Sequence, residues 1–164
     1  MLYSPKCVEE EFSEVGSRLE AVALWRTTER CTQRRILMAD PEHNKQTALA
    51  FVNTAFKEKK PAEAVENYGG SHYIQHNPQA PDGFEAFIQF VEGFLNKFPQ
   101  VSFDIKRTVA EGDLVALHSL LKTSPEDRGT AVADIFRLED GKVVEHWDVL
   151  QPVPESAAND HPMF

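Results

Sequence analysis

From residue 41 onward the chain carries two hydrophobic periodicities in succession, first helical and then alternating. Ala48, Phe51, Val52, Ala55 and Phe56 recur at three- and four-residue intervals, which predicts a helix from 41 to about 59. Asp40 suits its N-cap, Pro41 its first position, and Glu42 complements the helix dipole. Pro61 restarts a short helix, PAEAVENY, which Gly69-Gly70 ends. SHYIQHNPQAPDG then reads as a short extended piece followed by a Pro-rich loop. Phe84, Phe87, Ile88, Val91, Phe94 and Leu95 mark a third helix, with Pro99 beyond its end.

Four β-runs follow, over 101–110, 114–121, 130–138 and 143–150. Their separators, EGD, SPEDRG and EDG, are turn chemistry, and connections this short make neighbouring strands antiparallel. Helices first and a meander afterwards is an α+β layout. The first 40 residues stand apart. Val8, Phe12, Val15, Leu19 and Val22 repeat at 4-3-4-3 spacing, which predicts an amphipathic helix docked on the domain or on a partner subunit. Met38 offers an alternative natural start, because MADPEHNKQTALAFV opens a helix cleanly. The expected organisation is an extension over 1–40, a domain over 41–152 and a tail over 153–164.

Composition narrows the function classes. The 164 residues are 41% hydrophobic and 26% charged, ordinary for one globular domain. A net charge of −9 argues against nucleic acid or an anionic membrane as partner. No apolar run approaches the ~20 residues that span a bilayer. The start, MLYSPKCVEEEF, is acidic where a signal peptide is basic. The only two cysteines, Cys7 and Cys31, form no CxxC or His-Cys cluster, which fits a reducing compartment without structural zinc. The expectation is a cytoplasmic protein.

One residue interrupts the apolar rows. Asp134 shares a strand face with Val132 and Phe136, where an uncompensated carboxylate is costly. Pairing with Arg137, Arg107 or a backbone N–H would make it structural. Left unpaired in low dielectric, its pKa would rise and it could exchange protons near neutral pH. With Asp140-Gly141 as a two-residue turn, Asp134 falls opposite Trp147, and His146 and Asp148 fall on the other face, at a helix contact or subunit interface. Leu114, Ala116, His118 and Leu120 share a face of the preceding strand, which makes His118 a second titratable group in an apolar row and His76 a third. Neither HxH nor HExxH supplies a metal site, no GxSxG elbow serves a nucleophilic serine, and no Gly-rich loop cradles phosphate. No metal and no cofactor are therefore expected.

YIQHNPQAPDG, FPQVSFDIKRTVAEGDLVALHS and VADIFRLEDGKVVEHWDV resemble the SnoaL-like polyketide cyclase family, within the nuclear-transport-factor-two-like superfamily. The resemblance covers about residues 41–152. It implies a cone-shaped α+β barrel, with helices closing a strongly bent antiparallel sheet around a deep apolar pocket, and a homodimer through the outer sheet face. It implies cofactor-free aldol-type cyclisation or isomerisation of an apolar carbonyl compound. Asp134 matches the acid/base and His118 its assistant; His76, Trp147, Tyr73 and Phe136 are the expected substrate-binding residues. Two alternatives stay open: a non-catalytic ligand-binding or dimeric module, and an epoxide hydrolase or dehydratase. The last needs a second pocket carboxylate or a water-holding set such as Tyr73 and Asn77.

Overall fold

The computed structural model describes residues 40–164. The expected helix over 8–22, Cys7, Cys31 and Trp25 lie outside the described residues. Helix α1, Pro41–Val52, starts as its sequence dictates. The Asp40 carboxylate accepts from the Glu42 N–H at 3.0 Å and the His43 N–H at 3.4 Å. The winding then loosens to a π-helical turn over Asn53–Lys57, so α-helical geometry ends before the expected 59. Helices α2, Pro61–Tyr68, and α3, Phe84–Lys97, follow.

The strands are β1, Gly69–Gln75; β2, Ser102–Glu111; β3, Leu114–Lys122; β4, Thr130–Glu139; and β5, Lys142–Pro152. They form one sheet in the order β1-β5-β4-β3-β2, with β1 parallel to β5 and the other pairs antiparallel. The short extended piece is thus a fifth strand. The sheet stays open rather than closing into a barrel, with β1 and β2 at its edges. The α+β class stands: among the described residues, three helices pack on a five-stranded mixed sheet.

The core lies between the helices and one sheet face. Phe51 of α1, 1% exposed, stacks on Phe87 of α3 at 5.1 Å and meets Phe136 of β4 edge-on at 6.0 Å. Val115, Leu117, Leu138 and Val143 complete the same cluster. The inward row of β3 is therefore Val115, Leu117 and Ser119. This corrects the face expected for β3. Leu114, Ala116 and His118 alternate with the inward set and lie on the outer face, because apolar residues occupy both parities of that strand.

The β4–β5 hairpin corrects the second register. Asp140 (φ 50°) and Gly141 (φ 73°) form the expected two-residue turn, and Glu139 pairs with Lys142. One residue later, however, Leu138 pairs with Val143 while Arg137 pairs with Glu145, leaving Val144 as an inserted residue. Val143 and Val144 are 0% and 1% exposed, so two successive side chains are buried at this bulge. Everything after it is shifted by one: Asp134 pairs with Asp148, Ile135 with Trp147, and Phe136 with His146. His146 and Asp148 thereby join Asp134 on the inner face, and Trp147 moves to the outer one.

Gly70 on β1 makes room for this bulge. A Cβ there would sit 2.5 Å from Val144 Cγ1. Gly70→Ala is expected to cost roughly 1–3 kcal/mol, as overpacked cores do. Chemical denaturation checks it; an unchanged midpoint would mean that the bulge has slack.

Candidate active site

Asp134 projects from the middle of β4 into the core and is 7% exposed. The three expected cationic or backbone partners do not reach it. Arg137 instead binds Glu145 at 2.6 Å and Glu139 at 2.7 Å, and Arg107 contacts His118 at 3.2 Å. The partner that does reach it is His146, 8% exposed, whose Nε2 lies 3.1 Å from Asp134 Oδ1. Asp134 Oδ2 exposes less than 1 Å² and has no hydrogen-bond partner among the described residues. Burial pushes the Asp134 carboxyl above its ordinary range; the His146 contact opposes this, and the nearby Asp148 charge adds to it.

A polar chain from β1 supports the pair. His146 Nδ1 is 3.0 Å from Gln75 Oε1, which also accepts the Asn77 backbone N–H at 2.9 Å. Gln75 Nε2 donates to the Tyr73 hydroxyl at 3.3 Å. Asn77 Nδ2 donates to Asp148 Oδ2 at 2.7 Å. Aromatic rings close the apolar side: Phe136 stacks on the His146 ring at 4.6 Å, and Tyr73 packs between Phe84 and Phe87. Burial and the charges of Asp134 and Asp148 raise the Tyr73 phenol far above its usual value, so it stays protonated.

Asp134, His146 and Asp148 place one donor atom each within 4.8 Å of one another, the spacing at which a small cation could also be held. The HxH and HExxH spacings do not reveal this cluster, because its third member comes from the neighbouring strand.

The site is therefore built differently from the sequence expectation. Asp134, Phe136 and Tyr73 come together on the inner face. His118 does not: it pairs with Ala133 on the outer face and stacks on Phe164 at 5.7 Å. His76 and Trp147 are also outer-face residues, stacked on each other at 4.6 Å, with His76 Nε2 2.8 Å from Glu145. All three therefore lie on the opposite face of the sheet from the Asp134 side chain. Sequence reasoning missed Gln75 and placed His146 and Asp148 on the opposite face, at a helix contact or subunit interface. The Val143-Val144 doublet is the available signal, since two successive buried apolar residues beside a tight turn suit a bulge. Asp134 Oδ2, where the deep pocket was expected, exposes less than 1 Å². A cleft of about 280 Å³ lies two strands away, between Leu49, Asn53 and Lys57 and residues 103–108 of β2.

The model of the SnoaL-like domain matches residues 48–146, more than half of the chain, and takes in Asp134, Gln75 and His146. The chain belongs to the SnoaL-like domain family. Solved structures similar to this SnoaL-like protein share its fold. TsrD from Streptomyces laurentii is 21% identical, with a TM-score of 0.57, covering 68% of this chain and 90% of its own. A candidate ketosteroid isomerase from Kribbella flavida is 16% identical, with a TM-score of 0.59 over 74% of this chain and 87% of its own. A candidate polyketide cyclase from Bacillus cereus is 20% identical, with a TM-score of 0.57 over 66% of this chain and 74% of its own. No curated protein matches the chain at a significant level.

The raised Asp134 pKa has a consequence for stability. A carboxyl raised above its unfolded value contributes stability below the unfolded pKa, near 3.9, and loses it as pH rises through the folded value. Asp134→Asn is therefore expected to be more stable than wild type at pH 8, by about 1.4 kcal/mol for each unit of the shift. The gap should close as pH falls toward 4, read from denaturation midpoints across pH. A wild type more stable than the variant at pH 8 would contradict the assignment.

Proposed function

We propose that this protein is a cofactor-independent acid–base enzyme acting on an apolar carbonyl compound, of the cyclase or isomerase type. The observation that carries this reading is the Asp134 carboxyl, buried, with one oxygen on His146 and the other without a partner among the described residues. Oδ2 takes a proton from the carbon next to a carbonyl and returns it to a second carbon or to oxygen. The charge that develops on the substrate lies in a low-dielectric enclosure, where a single proton donor counts most. Because Oδ2 is enclosed in this structure, a substrate reaches it only when the enclosure opens. On this reading the opening is at Asn77 and Asp148, both half-buried where β1 gives way to the loop after it.

Deuterium exchange tests this without knowledge of the natural substrate. Incubated with cyclic and aromatic ketones in heavy water, the wild type is expected to wash out the α-protons faster than buffer does. Exchange at the buffer rate across the panel would count against the reading.

Asp148 favours a second reading, water addition or elimination. It supplies the second carboxylate that such chemistry needs, facing Asp134 across the β4–β5 pair and oriented by Asn77. Under that reading Asp148→Asn abolishes turnover; under the first it leaves α-proton exchange largely intact.

The family resemblance also supports a homodimer, and the two isolated cysteines support a reducing, cytoplasmic setting. Its interface would be the outer sheet face, where Val149 is 71%, Val109 68%, Leu114 41% and Ile135 40% exposed. His146, expected at this interface, lies on the other side of the sheet, and Trp147 takes its place. Val149→Glu is expected to convert a dimer to a monomer in sedimentation at micromolar concentration; a wild type already monomeric there would overturn the dimer. No helix among the described residues is long and apolar enough to cross a membrane.

A further inference from the structure

We infer that Gln75 is a positioning residue that fixes the His146 tautomer, so that one proton is shared between His146 Nε2 and Asp134 Oδ1. The inference deepens the acid–base reading and rests on the same site. It begins with the orientation of the Gln75 amide. The Asn77 backbone N–H can only donate, and it points at Gln75 Oε1 from 2.9 Å, so this end of the amide is the carbonyl oxygen. The other end, Nε2, meets the Tyr73 hydroxyl, whose oxygen accepts. Gln75 Oε1 can only accept in turn, and His146 Nδ1 lies 3.0 Å from it. Nδ1 therefore carries a hydrogen.

A neutral imidazole carries one N–H, so its Nε2 is then a lone pair. That lone pair faces Asp134 Oδ1 at 3.1 Å, and two acceptors do not rest at that distance without something between them. One proton resolves it, either as neutral imidazole with carboxylic acid or as imidazolium with carboxylate. The groups facing His146 agree with a single shared proton. Asp134 and Phe136 face it from β4, Gln75 and Tyr73 lie behind it on β1, and Asp148 follows on its own strand. Among the described residues no Lys or Arg forms a salt bridge with Asp134 or Asp148.

The arrangement makes Asp134 a two-ended relay. When Oδ2 accepts a proton from substrate carbon, the proton on the Oδ1 side passes to Nε2. The products are a neutral carboxylic acid and an imidazolium whose two N–H groups face Asp134 and Gln75. The reverse transfers restore the resting site, and no atom or electron is left over. If the histidine instead carried its hydrogen on Nε2, it would donate to Oδ1 and hold Asp134 as a carboxylate with no proton to return.

Nitrogen-15 spectra of the imidazole, together with carbon-13 titration of the Asp134 carboxyl, test this without any substrate. In the wild type, His146 is expected with a hydrogen-bearing Nδ1 at every pH where the protein is folded. Gln75→Leu removes the acceptor, so the Nε2–H tautomer should appear and the Asp134 midpoint should fall by at least one pH unit. Gln75→Glu keeps an acceptor oxygen at the same place and should retain the Nδ1–H tautomer. A residue that only filled space would not be rescued in this way. An Nε2–H tautomer in the wild type overturns the inference. So does a Gln75→Leu spectrum matching the wild type. If Gln75→Leu does not fold, the wild-type tautomer decides alone. These readouts concern proton placement only, so they can hold where ketone exchange fails, and the reverse.

Discussion

Asp134→Asn is expected to lower turnover roughly 10²–10⁴-fold, the usual contribution of a positioned acid or base. The amide matches the carboxyl in volume and cannot accept a proton near neutral pH, so the loss isolates the proton transfer. The surroundings tolerate it. The amide nitrogen of the variant can donate to a His146 Nε2 lone pair, and the buried charge disappears. The variant should therefore keep the wild-type fold and gain stability above the carboxyl range while losing activity. Loss of activity together with loss of folded structure would instead make Asp134 a structural residue. Full activity on a substrate that the wild type turns over would remove it from the mechanism.

The second large effect is on the core that holds this carboxyl in place. Phe51→Ala is expected to destabilise the fold by about 3–5 kcal/mol, the range for removing a fully buried aromatic ring. Phe51 is 1% exposed and joins α1 to Phe87 on α3 and to Phe136 on β4. Phe136 in turn carries the stacked face of His146. The cavity should therefore loosen the site as well as the fold, giving broadened His146 resonances before global unfolding. Urea denaturation reads the loss of stability, and a loss below about 1 kcal/mol would mean that the neighbours collapse into the space.

These effects are unequally legible in the sequence. Helix starts at Pro41 and Pro61 and the Asp140-Gly141 turn follow from local chemistry, namely a cap, a fixed φ and a positive φ. Local signals of that kind act over three or four residues and survive any tertiary context. Register does not. Val144 alone, inserted into β5, exchanges the roles of His146 and Trp147 by turning one inward and the other outward. His118 is misplaced by sequence reasoning for a related reason. Leu114, Ala116 and Leu120 make an apolar row, yet Val115, Leu117 and Ser119 are the row that the helices cover. Asp134 itself is legible because a charge between Val132 and Phe136 conflicts with burial on either register. Its partners come from β1 and β5, and β1 joins the sheet through a long-range parallel pairing that no local pattern announces.

The proposed chemistry depends on the protonation of one side chain, and carbon-13 titration of the Asp134 carboxyl in the folded protein measures it directly. The expected midpoint lies well above the free value of about 3.9, moving when His146 is replaced by Gln. A midpoint at or below that value would mean that the carboxylate is stabilised as an ion, and the acid–base reading would fail with it.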